Sequence, residues 1–176
     1  DPARVIERAR RADAPCLLVI DGVEDPGNLG AVLRSAAAAG VHGILLGRDG
    51  TVGVTPVAIK ASAGTAGKVP IAREGRLPAR LEALAEAGFR VVALDPRGDR
   101  PWNRVDLTGP VAIVAGGEGR GLRPGILRKC TDRIAIPLAA GVESLNVSVA
   151  TGVVLFEVVR QRSGGEKPGE PENSAR

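Results

Sequence analysis

Residues 144–162 read SLNVSVATGVVLFEVVRQR. The valines of this stretch favour a strand, whereas its length of about four turns favours a helix. Two features decide for a helix over 147–160. Asn146 is a good N-cap, and Arg160 and Arg162 suit the negative end of a helix dipole. Apolar residues then cover nearly the whole circumference, so the helix has to be buried on several sides, by its own sheet and by a second subunit. Its first turn nevertheless carries Ser144, Asn146 and Ser148, hydrogen-bonding side chains that burial alone does not call for.

The chain before this helix alternates short apolar runs with amphipathic ones, the pattern of an α/β fold with a mostly parallel sheet and helices on its faces. Strands are expected at 16–20, 43–46, 90–94, 111–115 and 133–136, and helices at 2–11, 29–39, 78–87 and 123–129. Asp1 caps the first helix, with Pro2 at its first helical position. Gly40 and Gly88 are C-terminal stops.

A chain of 176 residues fits one domain with a substantial core. The 24 Lys and Arg against 20 Asp and Glu give a formal charge of +4, compatible with a phosphate-bearing partner without requiring one. Cys16 and Cys130 lack any paired spacing and read as reduced thiols of a cytoplasmic protein. His42 is the only histidine, which argues against a zinc site or a Ser-His-Asp triad, and no metal is expected. The apolar runs are too short, and too often broken by Gly, Glu or Arg, for a signal peptide or membrane span. The sequence contains no methionine, even at position 1, which suggests a piece of something longer. Residues 163–176, rich in Gly, Pro, Glu and Ser, read as a disordered tail.

Three polar loops carry the chemistry, each following an expected strand: DGVEDPGNLGAVLR from 21, GGEGRGL from 116 and PLAAGVESLN from 137. Loops after parallel strands open on the carboxyl edge of the sheet, where ligands of α/β proteins bind. Asn28, Arg34, Glu118, Ser144 and Asn146 can therefore converge. Plainer readings exist for each. Asn28 can cap a helix starting at Leu29. Arg34 can be a solvated charge, although Ala31, Ala36, Ala37 and Ala38 make its helix narrow and suited to close packing, where an Arg needs an anionic partner. Glu118 sits among glycines that permit sharp turns or a close approach to a ligand, and Ser144 and Asn146 can be local caps. Two nucleotide-loop patterns fail. SAGTAGKV at 62–69 lacks the first Gly and the Ser or Thr after Lys of a phosphate loop, and GGEGRGL lacks the dinucleotide spacing. The 60–68 segment remains as a mobile basic loop able to touch phosphates.

Together the three loops resemble the SpoU/TrmH family of RNA ribose 2'-O-methyltransferases in the SPOUT superfamily. The motifs run in the family's order over about residues 15–162: NLGAVLR at 28–34, GGEGRGL at 116–122, and IPL at 136–138 followed by SLNVSVA at 144–150. The longer wording of the first and last motifs most resembles the branch that methylates a guanosine ribose of large-subunit (23S) ribosomal RNA. The resemblance implies a C-terminal deep trefoil knot, an exception to the rule against knots. It also implies a homodimer, an RNA substrate, and S-adenosylmethionine as methyl donor with S-adenosylhomocysteine as product. The cofactor contacts it implies fall on Gly116, Gly117, Ile136, Leu138, Leu145 and Asn146. The catalytic polar residues fall on Asn28, Arg34, Glu118, Ser144 and Asn146.

The implied reaction is attack of a ribose 2'-oxygen on the sulfonium methyl, with Arg34 as the family's activator. A guanidinium holds its proton, so phosphate anchoring and stabilisation of the developing alkoxide are its safer roles, with transient base chemistry as the alternative. Asn28 would position Arg34 or the ribose, Glu118 would order the second loop, and Ser144 and Asn146 would fix substrate and cofactor loop. Members of this branch carry an N-terminal RNA-recognition domain, whereas here only residues 1–14 precede the first strand, as a helix or linker to such a domain. Trp102, Phe89 and Phe156 are the only aromatics, too few for base stacking to dominate RNA binding. A transfer-RNA ribose methyltransferase, or a non-catalytic RNA-binding or ribosome-assembly module, remains the alternative.

Overall fold

The computed structural model describes residues 1–117, 119 and 121–164. Its strands are β1 (Cys16–Asp21), β2 (Gly43–Gly47), β3 (Ile71–Glu74), β4 (Arg90–Leu94), β5 (Arg100–Pro101), β6 (Val111–Gly116) and β7 (Asp132–Ala135). Its helices are α1 (Pro2–Ala9), α2 (Pro26–Ala38), α3 (Pro56–Ala61), α4 (Leu77–Glu86), α5 (Pro124–Leu127) and α6 (Val147–Arg162).

The strands form one sheet in the order β3-β2-β1-β6-β4-β7-β5, and every pairing is parallel. Parallel strands covered on both faces read as continuous apolar runs, as CLLVID and VAIVAG do. Alternate side chains feed two cores. Leu18, Ile20, Ile113 and Ala115 meet α2, α3 and α6 on one face. Leu17, Val19, Ala112 and Val114 meet α1, α4 and α5 on the other. The molecule is thus a three-layer α/β/α arrangement whose carboxyl edge gathers the loops after β1, β4, β6 and β7.

The last helix is capped as expected: the Asn146 side chain accepts from the Ser148 N–H at 2.9 Å. It runs to Arg162, and its two arginines act differently from simple dipole partners. Arg160 pairs with Glu157 at 2.7 Å. Arg162 donates to the Ala14 and Gly109 carbonyls at 2.8 Å each, tying the helix end to the amino edge of the sheet. Val5 and Ala9 of α1 are buried, so the first helix packs onto this domain's own sheet.

Three short elements lie outside the expected set: β3, α3 and β5. At four, six and two residues they are too short for a period to show. The segment expected as a mobile basic loop is instead built. Lys60 lies in α3, and Ser62, fully buried, donates from Oγ to the Ile59 carbonyl at 2.7 Å and accepts from the Ala66 N–H at 3.2 Å. The tail lies outside the described residues from 165 onward.

Candidate active site

The helix that carries the first motif begins at Pro26, not Leu29. Asp25 is its N-cap, accepting the Asn28 N–H at 2.6 Å through Oδ2. The capping reading of Asn28 is therefore corrected: a competent cap three residues earlier releases its side chain for another partner. That partner is Asn146, whose Nδ2 donates to Asn28 Oδ1 at 2.9 Å. Asn146 Oδ1 meanwhile accepts from the N–H and Oγ of Ser148. One side chain thus caps α6 and links the first loop to the third across 118 residues.

Beside this link, at the carboxyl edge, lies a cleft of about 500 Å3. Gly116 and Gly117 form part of its lining, with Ile136, Leu138 and Leu145 as apolar wall and Ser144 and Asn146 at its polar side. The glycines have no substitutes here. A Cβ on Gly116 would lie 2.7 Å from the Gly121 carbonyl carbon, and one on Gly117 would collide with the Gly22 carbonyl. The second loop is folded back on itself by the Gly117–Gly121 bridge and fixed to β1 by the Gly117 N–H, which donates to the Asp21 carbonyl at 2.9 Å.

Two ion pairs missing from the sequence reading hold this edge together. Asp21, 1% exposed, is gripped in bidentate fashion by Arg123, with Nε–Oδ2 2.9 Å and Nη2–Oδ1 2.6 Å. This contact, opposed by burial, raises the guanidinium's pKa. Asp95, in the cleft lining, accepts from Arg133 Nη2 at 2.7 Å and from the Arg97 N–H at 3.0 Å. Burial pushes the Asp95 carboxyl upward, but these donors overcome it and hold the group below the ordinary carboxylate range. The signal was present in both cases: a lone carboxylate at the end of an apolar strand needs a cation, and Asp21 closes β1 while Asp95 directly follows β4.

Of the expected site residues, the structure brings together Asn28 and Asn146 by contact, and Gly116, Gly117, Ile136, Leu138, Ser144, Leu145 and Asn146 around the cleft. Arg34 is not among the cleft-lining residues; it stands exposed on α2. Glu118 lies outside the described residues. Helix geometry places Arg34 closely. Ser35 faces α6, where a Cβ on Gly152 would lie 3.5 Å from its Oγ, and Gly30 faces α3. Arg34 projects between those directions, on the outward ridge of α2. Among the described residues, no three His, Cys, Asp or Glu side chains cluster as metal ligands, and no helix is long and apolar enough to cross a membrane.

Residues 15–156 match the SpoU rRNA Methylase family. An uncharacterized tRNA/rRNA methyltransferase of Mycobacterium sp. (strain KMS) is 45% identical over 162 residues, covering 92% of this chain and 52% of the relative. The 23S rRNA (guanosine-2'-O-)-methyltransferase RlmB of Shewanella oneidensis is 46% identical over 157 residues, 89% of this chain and 63% of that protein. The crystal structure of the SpoU methyltransferase AviRb from Streptomyces viridochromogenes, in complex with the cofactor AdoMet, superposes with a TM-score of 0.83 at 30% identity, covering 92% of this chain and 63% of that one. This chain therefore spans about half the length of the mycobacterial relative it matches. With this match spanning most of its length, the chain belongs to the SpoU rRNA methylases.

Proposed function

We propose that this chain is the catalytic part of a cytoplasmic, homodimeric, S-adenosylmethionine-dependent RNA methyltransferase that modifies the ribose 2'-hydroxyl of a guanosine in 23S ribosomal RNA. The observation that carries the proposal is the glycine-lined cleft joined by Asn146 to Asn28 of the first motif. Its volume of about 500 Å3 lies within the range of small-molecule sites, and its combination of apolar walls, close backbone and a few polar groups suits an adenosine with a charged amino-acid arm. The likeness to the Shewanella enzyme supports the ribosomal target; transfer RNA is the second reading, supported by the broader name of the mycobacterial relative.

When bound, S-adenosylmethionine would supply a methyl group whose leaving group is the neutral thioether of S-adenosylhomocysteine. Gly116 and Gly117 let the backbone approach the ligand, and Ile136, Leu138 and Leu145 exclude water from it. Asn146 and Ser144 orient the ribose, and Asn28 fixes Asn146. Arg34 contributes a planar cation that anchors a neighbouring phosphate and stabilises charge developing on the 2'-oxygen. Its placement on the outward ridge of α2 is compatible with a site completed by a second copy. Val149 and Phe156, 52% and 49% exposed, flank Gly152 on α6 and would be covered by that copy. The proposed knot is supported by chain order: β6 and β7 flank β4, and the segment after β7 returns to the cleft before α6 packs near β6.

Arg34→Ala tests the assignment in the longest natural form of the protein. Methyl transfer to RNA should fall by at least about 100-fold while calorimetric affinity for S-adenosylmethionine stays within about twofold, because the cofactor contacts lie on other loops. Arg34→Lys should also lose most activity, since lysine lacks the planar fork. Near-normal turnover of Arg34→Ala would overturn the role and move it to Asn28 or Ser144.

A further inference from the structure

The ridge that carries Arg34 has α6 on one side and α3 on the other, and the α3 side has an uneven charge. Residues 26–47 and 50–73 contain no Asp or Glu, whereas at the chain's average density they would hold about five. They do contain Arg34, Lys60, Lys68 and Arg73. Arg73 is turned inward, donating to the Arg48 and Thr51 carbonyls at 2.8 and 2.9 Å. Arg34, Lys60 and Lys68 are exposed.

These cations stand on a rigid support. α2 and α3 touch at Gly30, where an added Cβ would lie 2.5 Å from the Ala58 carbonyl oxygen and from Ala61 Cβ. Arg34 follows Gly30 by one turn, about 6 Å along the axis. Beyond α3, the 62–68 turn is fixed by buried Ser62 and by Thr65, whose Oγ1 donates to the Ser62 carbonyl at 2.8 Å. The turn holds Ala63 at φ 51°, a conformation that L side chains rarely adopt, directly before Gly64 at φ 79°. Val57 and Ile59, 57% and 48% exposed, give the same outer face an apolar component.

We propose that the outer face of α3 and the 62–68 turn form a track for the RNA sugar-phosphate backbone, with Lys60 and Lys68 each contacting a phosphate on the α3 side of Arg34. The proposal rests on the reading of the chain as an RNA ribose methyltransferase and assigns where its substrate strand runs. Cations without competing carboxylates suit phosphates rather than a mixed-charge protein surface. With no aromatic among residues 48–73, the track would position the strand without reading its bases.

The test measures binding of a fluorescein-labelled RNA stem-loop to the cofactor-free 176-residue chain by anisotropy over a salt series. Replacing Lys60 and Lys68 together by Gln should weaken binding and flatten the log–log salt slope by about 0.7–0.9 per lysine. The double Arg variant should keep the slope. Lys129→Gln, on the opposite helical layer where Lys129 pairs with Glu82, should leave it unchanged. An unchanged slope in the double Gln variant, an equal loss in Lys129→Gln, or no RNA binding by the parent chain would each overturn the track. Calorimetry with S-adenosylmethionine on the same proteins reports separately on the enzymatic reading: failure of the parent chain to bind it sinks that reading, whereas loss confined to RNA sinks only the track.

Discussion

Asn146 makes two separate contacts through different atoms. Its oxygen caps α6, while its amide nitrogen holds Asn28. Asn146→Ser should therefore keep most of the stability, because serine is also a good cap, yet lower methyl transfer because the link to Asn28 is gone. Asn146→Ala should lose activity and in addition about 1 kcal/mol, read by urea denaturation. Equal activity in the two variants and the parent would show that the link is dispensable. The sequence made Asn146 legible as a cap but left Asn28 open between a cap and a site residue, because two good capping residues stand three apart and only the fold decides between them. His42 gives a second prediction. Burial, aided by the Arg162 charge, lowers its pKa, and its Nδ1 accepts the Cys16 N–H at 3.1 Å, so the folded state favours the neutral ring. The unfolded chain then binds protons first. His42's contribution is complete above its ordinary pKa of about 6.5 and is lost as pH falls from there through the lowered folded value. His42→Gln should remove the part of the pH dependence that sets in as pH falls through about 6.5 in denaturant titrations; an unaltered dependence would contradict it.

At the scale of elements, the contact between α2 and α3 rests on the absence of one Cβ. Gly30→Ala improves helix propensity by about 1 kcal/mol. The added carbon would nevertheless meet a backbone carbonyl and a neighbouring Cβ at 2.5 Å, neither of which can rotate away. The clash should win, with a net loss of about 1–3 kcal/mol in denaturation; a stabilised variant would mean that the helices separate easily. The second loop depends on Arg123. Arg123→Ala strands the buried Asp21 carboxylate and should cost about 1–3 kcal/mol, the lower part of the range being favoured because Arg123 is half exposed. Adding Asp21→Asn should restore part of that loss, whereas a further additive loss would contradict the pairing. The long elements α4 and α6 were legible from the sequence to within about two residues, α6 from its length, its cap and its terminal arginines rather than from a period. β3, α3 and β5 were not, because their pairing and helix contacts, rather than any local repeat, create them. The ion pairs were half legible: a carboxylate ending an apolar strand demands a cation, but Arg123 lies 102 residues from Asp21 and nothing local connects them.

For the whole molecule, the sequence already implied a sheet with three loops on one edge, and the structure converts that implication into a cleft with named walls. The sequence proposed Arg34 as a site residue but could not place it outside its own chain's cleft, since that depends on which way α2 rotates against its neighbours. The proposed assembly follows from the same rotation. Phe156→Glu should place a charge on the exposed α6 stripe and shift a dimer to monomer in light scattering, while far-ultraviolet dichroism remains unchanged; a dimer persisting in that variant would place the interface elsewhere. The central claim concerns the chemistry. The longest natural form of the protein should be incubated with ribosomal RNA and S-adenosylmethionine carrying a deuterated methyl group, and the RNA digested to nucleosides for mass spectrometry. The predicted result is label on 2'-O-methylguanosine, absent from the Arg34→Ala reaction. Label on a base, or no label from a protein that binds both cofactor and RNA, would contradict the account.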